Sequence, residues 1–354
     1  MQKIIDRTNH YISLFDEHSG FYVRSGIFRD GKETEEDPFM AGFPELLDVG
    51  IMGHCTHGLS GLCRKTGVEC YQDGWRMEQP NMEVEDFLTI ARQCDGRVYQ
   101  FALGGRGDPD QHEAFEDILK ICREYHVVPN FTSSGLGFDG SVIELCRNYC
   151  GAVAVSWYGQ PYTERAIRML TEAGVKTNIH FVLSRSSVKQ ARDFICREAP
   201  DGVNAVVFLL HKPIGIGRRE NMLLWNDSDL RELYHCIDTQ RFPFKIGFDS
   251  CSIPGLIHSM KNVNMQSMDT CEAARWSAYV TPDMKLLPCS FDNQDERWSV
   301  DLRQYTIAEA WNSSVFEQFR GSFREACPDC VSRKQCMGGC PICPEIVLCK
   351  DKVG

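Results

Sequence analysis

The sequence lacks an uninterrupted apolar run approaching the roughly 20 residues that a membrane-spanning helix requires. It also lacks a long run of lysine or arginine, and its formal net charge of −11 disfavours a nucleic-acid backbone as the main partner. Residues 1–20 contain no apolar core of the kind that defines a signal peptide. We therefore predict a cytoplasmic protein with reduced thiols, no membrane association and no nucleic-acid partner.

Cysteine is present at a density too low for a disulfide scaffold, with 18 residues among 354. In a reducing compartment, clustered cysteines indicate a metal site or a catalytic site rather than disulfides. The densest run has the spacing Cys-x2-Cys-x5-Cys-x3-Cys, at Cys327, Cys330, Cys336 and Cys340. Closely spaced thiolates are typical of iron–sulfur ligands. A zinc ribbon uses two Cys-x2-Cys pairs about 15–20 residues apart, so the spacing favours iron–sulfur over zinc.

Short apolar β-rich runs alternate with helical patterns between residues 45 and 208, which predicts a parallel sheet. The predicted strands are Leu46–Ile51, Val98–Leu103, Val127–Phe131, Ala152–Ser156, Lys176–Leu183 and Ala205–Leu210. Such βα units form either an open doubly wound sheet or an incomplete barrel. In both architectures the chemistry collects at the carboxyl ends of the strands.

Four helices are predicted from apolar positions that recur at helical spacing. Their core-facing residues are Phe87, Ile90, Ala91 and Cys94; Phe115, Ile118, Leu119 and Cys122; Val142, Leu145, Cys146 and Tyr149; and Ala166, Met169, Leu170 and Ala173. Free cysteine packs as a small hydrophobe, so the three cysteines in these stripes are expected to be structural. Gly174 is placed to end the fourth helix.

Three further cysteines, Cys55, Cys63 and Cys70, follow the first predicted strand in a glycine-rich loop. Three thiolates on a four-iron cluster leave one iron without a protein ligand. An open coordination position distinguishes a catalytic metal site from a closed structural one, so this iron could bind a substrate or a cofactor. The alternative is a four-ligand zinc site completed by His54 or His57.

Over residues 45–350 the chain resembles the radical S-adenosylmethionine enzymes that carry a C-terminal SPASM domain. Cys70 and Tyr71 are similar to the family's last ligand and its following aromatic residue, although the family spacing is Cys-x3-Cys-x2-Cys and this chain has intervals of seven and six residues. The resemblance implies an α/β fold with a partial (β/α)6 TIM-like barrel. It further implies a [4Fe–4S] cluster on Cys55, Cys63 and Cys70 that binds S-adenosylmethionine and cleaves it to a 5′-deoxyadenosyl radical, which abstracts hydrogen.

The resemblance also implies residues that contact the cofactor. Gly104, Gly105 and Asp108 are similar to the family's Gly-Gly-Glu-Pro segment, although Asp108 and Pro109 equally fit a helix N-cap and its first residue. Ser156, Asn178 and His180 are similar in placement to family residues that contact the ribose and the carboxylate of the cofactor. A turn-forming serine and a satisfied interior histidine are the alternatives.

The SPASM pattern of the family implies two auxiliary [4Fe–4S] clusters, three clusters in all. By analogy, the first auxiliary set is Cys251, Cys271, Cys289 and Cys340, and the second is Cys327, Cys330, Cys336 and Cys349. Cys343 is then a spare that could exchange with Cys349. Met284 stands where the family has glycine, so Pro282 and Asp283 are expected to make the turn.

The domains expected are an N-terminal extension at 1–44, a radical S-adenosylmethionine barrel at 45–240 and a SPASM-like domain at 241–354. The extension holds a possible β-hairpin at Tyr11–Phe28 and an acidic loop at Lys32–Asp37. It is shorter than the leader-binding domain of many peptide maturases, so a separate leader-binding protein is expected, unless the substrate is of a different kind.

Auxiliary clusters that accept electrons suit net oxidation, and the resemblance implies an oxidoreductase that modifies a peptide or protein side chain. Its electron donor would be a flavodoxin or ferredoxin. Asp249 is a candidate proton acceptor beside the first auxiliary set, although aspartate in such a turn often forms an Asx-turn. The alternatives are sulfatase-maturase-like dehydrogenation of cysteine or serine, and a zinc- or cluster-binding protein without turnover.

Overall fold

The computed structural model describes residues 1–26, 38–75, 79–264, 267–293, 295–323, 327, 329–330, 332 and 336–349. The predicted acidic loop Lys32–Asp37 lies outside the described residues. No helix in the described ranges combines the length and the apolar character needed to cross a membrane.

The fold is organised around a large, mainly parallel sheet, which confirms the predicted α/β class. Its strands are β4 Leu46–Met52, β5 Gln100–Gly105, β6 Val128–Ser133, β7 Ala152–Ser156, β8 Thr177–Leu183, β9 Ala205–Leu210, β10 Lys245–Phe248, β11 Ser277–Val280, β12 Lys285–Leu287 and β13 Val300–Asp301. The order is β10-β9-β8-β7-β6-β5-β4-β11-β12-β13. All neighbours from β10 to β11 pair in parallel, and β12 and β13 are antiparallel additions.

All six predicted strands are present, within about two residues at each end. Two parallel strands were missed. β10 extends the sheet beyond β9, and β11 adds to its other side next to β4. Both are only four residues long, which leaves little periodic signal. Because β10 belongs to this sheet, the sheet continues past the predicted domain boundary at residue 240.

Helices follow most of the strands and bury one apolar side against the sheet. They are α1 Thr56–Leu59, α2 Leu62–Lys65, α3 Val84–Cys94, α4 Phe115–Glu124, α5 Gly140–Tyr149, α6 Pro161–Glu172, α7 Val188–Asp193, α8 Ser228–Thr239, α9 Ile253–Ser259, α10 Ile307–Trp311 and α11 Ser314–Gly321. Short 3-10 turns lie at Pro109–Gln111, Arg219–Asn221, Ser250–Ser252 and Ser290–Asp292, and a π-helical turn at Phe194–Glu198.

The predicted core stripes of α3 and α4 are fully buried. In α5 and α6, Cys146, Ala166 and Leu170 are buried, and the other predicted residues are partly buried and pack against the core. Ile143 of α5 and Thr163 and Ile167 of α6 are buried in addition. The structural cysteines Cys94, Cys122 and Cys146 are at most 1% exposed. Gly174 has a φ of +73° and ends α6 as predicted.

A separate three-stranded antiparallel sheet precedes the barrel, with β1 Gln2–Asp6, β2 Tyr11–Asp16 and β3 Phe21–Gly26. β2 and β3 are the predicted hairpin, and its last two residues lie outside the described residues. Glu45, 5% exposed at the start of β4, fastens this sheet to the barrel. Its carboxylate accepts hydrogen bonds from the hydroxyls of Tyr11, Ser13 and Tyr22.

Candidate functional site

A cavity of about 1020 Å³ lies against the inner face of the parallel sheet. Alternate residues of β4 to β8 point into it, as expected for one face of a sheet. These are Leu46, Asp48, Ala102, Gly104, Thr132, Ser156 and His180. Seven of the cysteines predicted as ligands line the same cavity, namely Cys55, Cys63, Cys70, Cys251, Cys271, Cys289 and Cys340. The fold therefore brings two predicted cluster sites to one chamber.

The loop after β4 gathers Cys55, Cys63 and Cys70 despite their irregular spacing. Each sulfur accepts hydrogen bonds from N–H groups, a feature of thiolates that hold iron–sulfur clusters. The Cys55 Sγ accepts from the Gly58 amide at 3.1 Å, and the Cys63 Sγ accepts from the Trp75 indole Nε1 at 3.2 Å. Two backbone amides that follow Cys70 donate to its sulfur. Sequence reasoning missed Trp75, which lies outside the cysteine motif.

Burial raises the pKa of Cys55 to about 12 and also raises the pKa of Cys70. Buried thiols of this kind ionise when a metal supplies the compensating positive charge. No group of three His, Cys, Asp or Glu side chains in the described part of the chain is close enough to hold a single ion. Around one zinc ion, with Zn–S near 2.3 Å, sulfurs would be about 3.8 Å apart. A cubane holds its thiolates further apart, so the donor set fits an iron–sulfur cluster better.

The two histidines of the zinc alternative, His54 and His57, make hydrogen bonds to other groups. The His57 Nε2 lies 3.2 Å from the Tyr162 hydroxyl, and the His54 Nδ1 lies 3.4 Å from the Gln79 carbonyl oxygen. Each of these hydrogen bonds engages one ring nitrogen and leaves the other open, as in a metal-bound histidine. The zinc alternative is disfavoured by the spacing of the described side chains rather than by the histidines.

Gly104 and Gly105 end β5 at the cavity, and each has a distinct reason to be glycine. Gly105 has a φ of +115°, and a Cβ there would lie 2.3 Å from the Met52 carbonyl oxygen. A Cβ on Gly104 would meet nothing within 4 Å, so its bare backbone is accessible from the cavity. Asp108 also lines the cavity, and its carboxylate accepts from the Ser134 amide at 2.8 Å. It precedes the 3-10 turn that Pro109 begins, which is the N-cap placement given as the alternative.

Ser156 and His180 line the cavity, but the described residues that line it do not include Asn178. The Asn178 Oδ1 instead accepts a hydrogen bond from Asn204 at 2.8 Å. Asn178 lies one residue from the amino end of β8, so it is on the correct face but too far from the carboxyl end. Burial lowers the pKa of His180 to about 4, which keeps the ring neutral at physiological pH. Its Nδ1 lies 3.3 Å from the Thr132 hydroxyl.

The first auxiliary set, Cys251, Cys271, Cys289 and Cys340, forms one neighbourhood that lines the same cavity. The thiols of this set interact electrostatically with one another. Burial and neighbouring thiols raise the pKa of Cys271 and of Cys289, so these two also need a metal in order to ionise. The residues present fit a four-thiolate cluster here.

The second auxiliary set lies in a segment that is described only in pieces. Cys336 interacts electrostatically with Cys327 and Cys330, and its Sγ accepts from the Gly338 amide at 3.3 Å. Cys349 is 8% exposed. The spare Cys343 donates its backbone N–H to the Cys340 Sγ at 3.3 Å, which places it beside the first set. Cys349 as the fourth ligand of the second set stays a prediction.

The turn at Met284 was expected to be made by Pro282 and Asp283. Met284 itself instead adopts the left-handed conformation, with a φ of +69°. This corrects the expectation, because the position keeps the conformation that glycine would have, without glycine. The side chain is 2% exposed, so its burial offsets the backbone cost.

Asp249, the predicted proton acceptor, lines the cavity but is already engaged in hydrogen bonds. Its Oδ2 accepts from the Leu210 amide at 3.1 Å and from the Lys212 Nζ at 2.9 Å, and its Oδ1 accepts from the Ser252 hydroxyl at 2.7 Å. The carboxylate is therefore held in place by an ammonium and two further donors. This arrangement favours an ion-pair role for Asp249.

Two other carboxyl groups in the cavity have no ion pair within the described residues. Asp48 lies on β4 between Tyr279 of β11 and Ala102 of β5, and burial raises its pKa to about 7. Burial together with nearby carboxylates likewise raises the pKa of Glu272 to about 7. Sequence reasoning missed both, because a single acidic residue gives no motif, either in an apolar strand, as for Asp48, or in a loop, as for Glu272. Both can exchange protons near neutral pH.

Aromatic rings connect the two thiol sites along the cavity wall. Tyr71, next to Cys70, packs against Phe291 at 4.7 Å between ring centroids, and Phe291 follows Cys289 by two residues. The two cysteine-bearing loops therefore contact each other directly rather than only through the sheet.

This combination of a parallel half-barrel and a cysteine-rich C-terminal region defines a class of cluster-binding α/β proteins. A family model described as SPASM, an iron–sulfur cluster-binding domain, matches residues 271–337. The chain therefore carries a SPASM domain that binds iron–sulfur. The SPASM part of the sequence-based resemblance is confirmed by this match.

Solved structures share the fold over most of the chain. Streptococcus suis SuiB bound to S-adenosylmethionine matches with a TM-score of 0.68 at 16% identity, covering 88% of this chain and 78% of SuiB. SuiB bound to its precursor peptide SuiA matches with a TM-score of 0.68 at 16% identity, over 92% and 84% of the two chains. The protein anSMEcpe with bound AdoMet and Cp18Cys peptide matches with a TM-score of 0.60 at 16% identity, over 85% and 91%. No curated protein matches the sequence significantly.

Proposed function

We propose that the protein is a radical S-adenosylmethionine oxidoreductase that oxidises a side chain of a peptide or protein. The observation that carries this proposal is the single cavity lined by both the Cys55, Cys63 and Cys70 set and the first auxiliary set. A substrate in that chamber would lie between a site for hydrogen abstraction and a site for electron acceptance. Peptides bound by SuiB and anSMEcpe support a peptide substrate.

When bound, S-adenosylmethionine at the first cluster would supply the 5′-deoxyadenosyl radical that removes a hydrogen atom. Cys55, Cys63 and Cys70 would hold that cluster and leave one iron open. The bare backbone of Gly104 offers the close approach that a cofactor's amino acid portion needs, and neutral His180 and Ser156 offer hydrogen-bond partners. These three assignments are part of the proposal, and Asn178 is left out of it.

Loss of a hydrogen atom, a proton and an electron oxidises the substrate by two electrons. The proton requires an acceptor in the cavity, and Asp48 suits this role better than Asp249. Its pKa is near 7, and in the described residues no ion pair holds it, whereas Asp249 is bound by Lys212. The electron would leave through the cluster on Cys251, Cys271, Cys289 and Cys340. A flavodoxin or ferredoxin as donor and a separate leader-binding protein remain part of the proposal.

The test is anaerobic reconstitution, followed by iron analysis and incubation with S-adenosylmethionine and a strong reductant. We expect about 12 irons per chain, as three four-iron clusters imply, and formation of 5′-deoxyadenosine. Cys55→Ala should abolish the product, whereas Cys196→Ala, which changes an exposed cysteine, should not. Stoichiometric zinc, or equal product from the wild type and Cys55→Ala, would reject the proposal.

A further inference from the structure

Lys212 is a buried cation whose presence the fold alone does not explain. It follows β9 by two residues and is 3% exposed. Its Nζ donates to the Asp249 Oδ2 at 2.9 Å and to the Leu210 carbonyl oxygen at 3.0 Å, and lies 4.1 Å from the centroid of the Phe291 ring. Burying an ammonium is costly, and an apolar pair of similar volume is often at least as stable as a buried ion pair. A retained charge at this depth therefore suggests an electrostatic role.

The charge of Lys212 is directed at the first auxiliary set. The ammonium lies close enough to Cys251, Cys289 and Cys340 for its charge to act on each of these thiols. The described residues that line the cavity do not include Lys212, whereas Phe291, whose ring centroid lies 4.1 Å from the ammonium, does line it. Its charge therefore acts on the thiol site and not by contact with a substrate.

We propose that Lys212 is the countercharge of the iron–sulfur cluster held by Cys251, Cys271, Cys289 and Cys340, and that it raises the reduction potential of this cluster. The inference rests on the proposed function, which places a cluster at these cysteines. A cluster on four thiolates is anionic and gains negative charge on reduction. A fixed positive charge in a medium of low dielectric stabilises the reduced form more than the oxidised form.

Asp249 does not cancel this effect. The ammonium contacts both Asp249, two residues before Cys251, and the ring of Phe291, two residues after Cys289, so it stays beside both ligand loops while it is paired. Asp249 instead orients the ammonium and offsets part of its desolvation. Lys212 is thus a positioning residue for electron acceptance, and it does not contact the reacting atoms.

The experiment compares Lys212→Met and Lys212→Arg in the full-length protein, reconstituted anaerobically, with Cys55→Ala present to silence the first cluster site. Potentiometric titration followed by electron paramagnetic resonance reports the midpoint potential of each auxiliary cluster. We expect Lys212→Met to lower the midpoint of one cluster and to leave the other unchanged, which serves as an internal reference. Lys212→Arg, which keeps the charge, should restore the lost potential.

A second variant should shift the midpoint potential in the opposite direction. Asp249→Asn removes the negative charge beside the same ammonium and should raise the midpoint of the same cluster. If Lys212 and Asp249 had only a structural role, both substitutions would shift the midpoint potential in the same direction. Lys285→Met is the matched control, because Lys285 is also held by carboxylates, Glu296 at 2.6 Å and Asp283 at 3.0 Å. It should leave both midpoints unchanged.

Three results would overturn the inference: unchanged midpoints in Lys212→Met at full iron content, equal shifts of both clusters, or loss of about four irons from both Lys212→Met and Lys212→Arg. Loss of iron from Lys212→Met alone, with Lys212→Arg intact, would support it. Failure of the wild type to bind iron at the first auxiliary set would instead reject the proposed function. Iron content therefore separates the two failures.

Discussion

Replacing Asp48 with asparagine tests how strongly burial in the cavity raises the pKa of this carboxyl group. Burial raises the pKa of Asp48 from its usual 3.8 to about 7 in the folded protein, and unfolding returns it to the usual value. Between these two pH values the folded state binds more protons than the unfolded state. The free energy of unfolding therefore falls as the pH rises through this window, and the loss levels off above about pH 7.

The magnitude follows from the two pKa values, since one pKa unit corresponds to about 1.4 kcal/mol. Between pH 5 and pH 8, ionisation of Asp48 should cost the folded wild type about 2.6 kcal/mol that Asp48→Asn does not lose. Urea unfolding of both metal-free proteins, extrapolated to zero denaturant at each pH, measures this difference. The variant should be the more stable protein at pH 8 by a wider margin than at pH 5.

The matched control is Asp139→Asn. Asp139 is exposed and caps α5, and its hydrogen bonds with Ser141 lower its pKa, so it is ionised at both pH values. Its replacement should change the stability by a similar amount at pH 5 and pH 8. A stability gap between wild type and Asp48→Asn that is independent of pH would refute the claim that the cavity raises this pKa.

Three further predictions concern individual contacts. Trp75→Phe removes the indole N–H that bonds the Cys63 sulfur, and should lower the first cluster's midpoint potential by roughly 20–40 mV, measured by potentiometric titration. Cys349→Ala should reduce bound iron, because Cys349 is the expected fourth ligand of the second set. Cys343→Ala should not, because Cys343 lies beside the first set. Equal iron content in the two variants would contradict this prediction. Tyr22→Phe removes one donor from the buried carboxylate that fastens the N-terminal sheet, and should lower the free energy of unfolding by about 1–2 kcal/mol in urea titration.

The central strands could be predicted from the sequence because each is a buried, β-rich apolar run between turn signals. Ala152–Ser156 and Ala205–Leu210 have the predicted bounds exactly as they stand in the structure. The strand Lys245–Phe248 could not be found in this way, because it is short and its residues are mostly half-buried. Its place in the sheet depends on pairing with Ala205–Phe208, which is a tertiary contact and not a local pattern.

The cysteines of the site could be predicted because they are chemically distinctive, and their role does not depend on the precise loop conformation. Cys55, Cys63 and Cys70 meet at the cavity in spite of their spacing, since α1 and α2 fold the loop back on itself. Asn178 shows the limit of the approach. Its face of the strand is set by alternation, but its depth in the sheet depends on the stagger between neighbouring strands.

Asp249 and Lys212 show why a role assigned to a single residue from the sequence can change once its hydrogen-bond partners in the structure are known. In the sequence, an aspartate two residues before a cysteine suggested a base, and a lysine after an apolar strand carried no signal. In the structure they form one ion pair across 37 positions of sequence, with the Lys212 Nζ 2.9 Å from the Asp249 Oδ2. This pair lies near the thiols of the first auxiliary set. Each residue is thus the charge partner of the other, and the pair supplies an electrostatic field beside the thiols. The proposed proton acceptor is then Asp48, whose pKa burial raises to about 7 and which has no ion pair within the described residues.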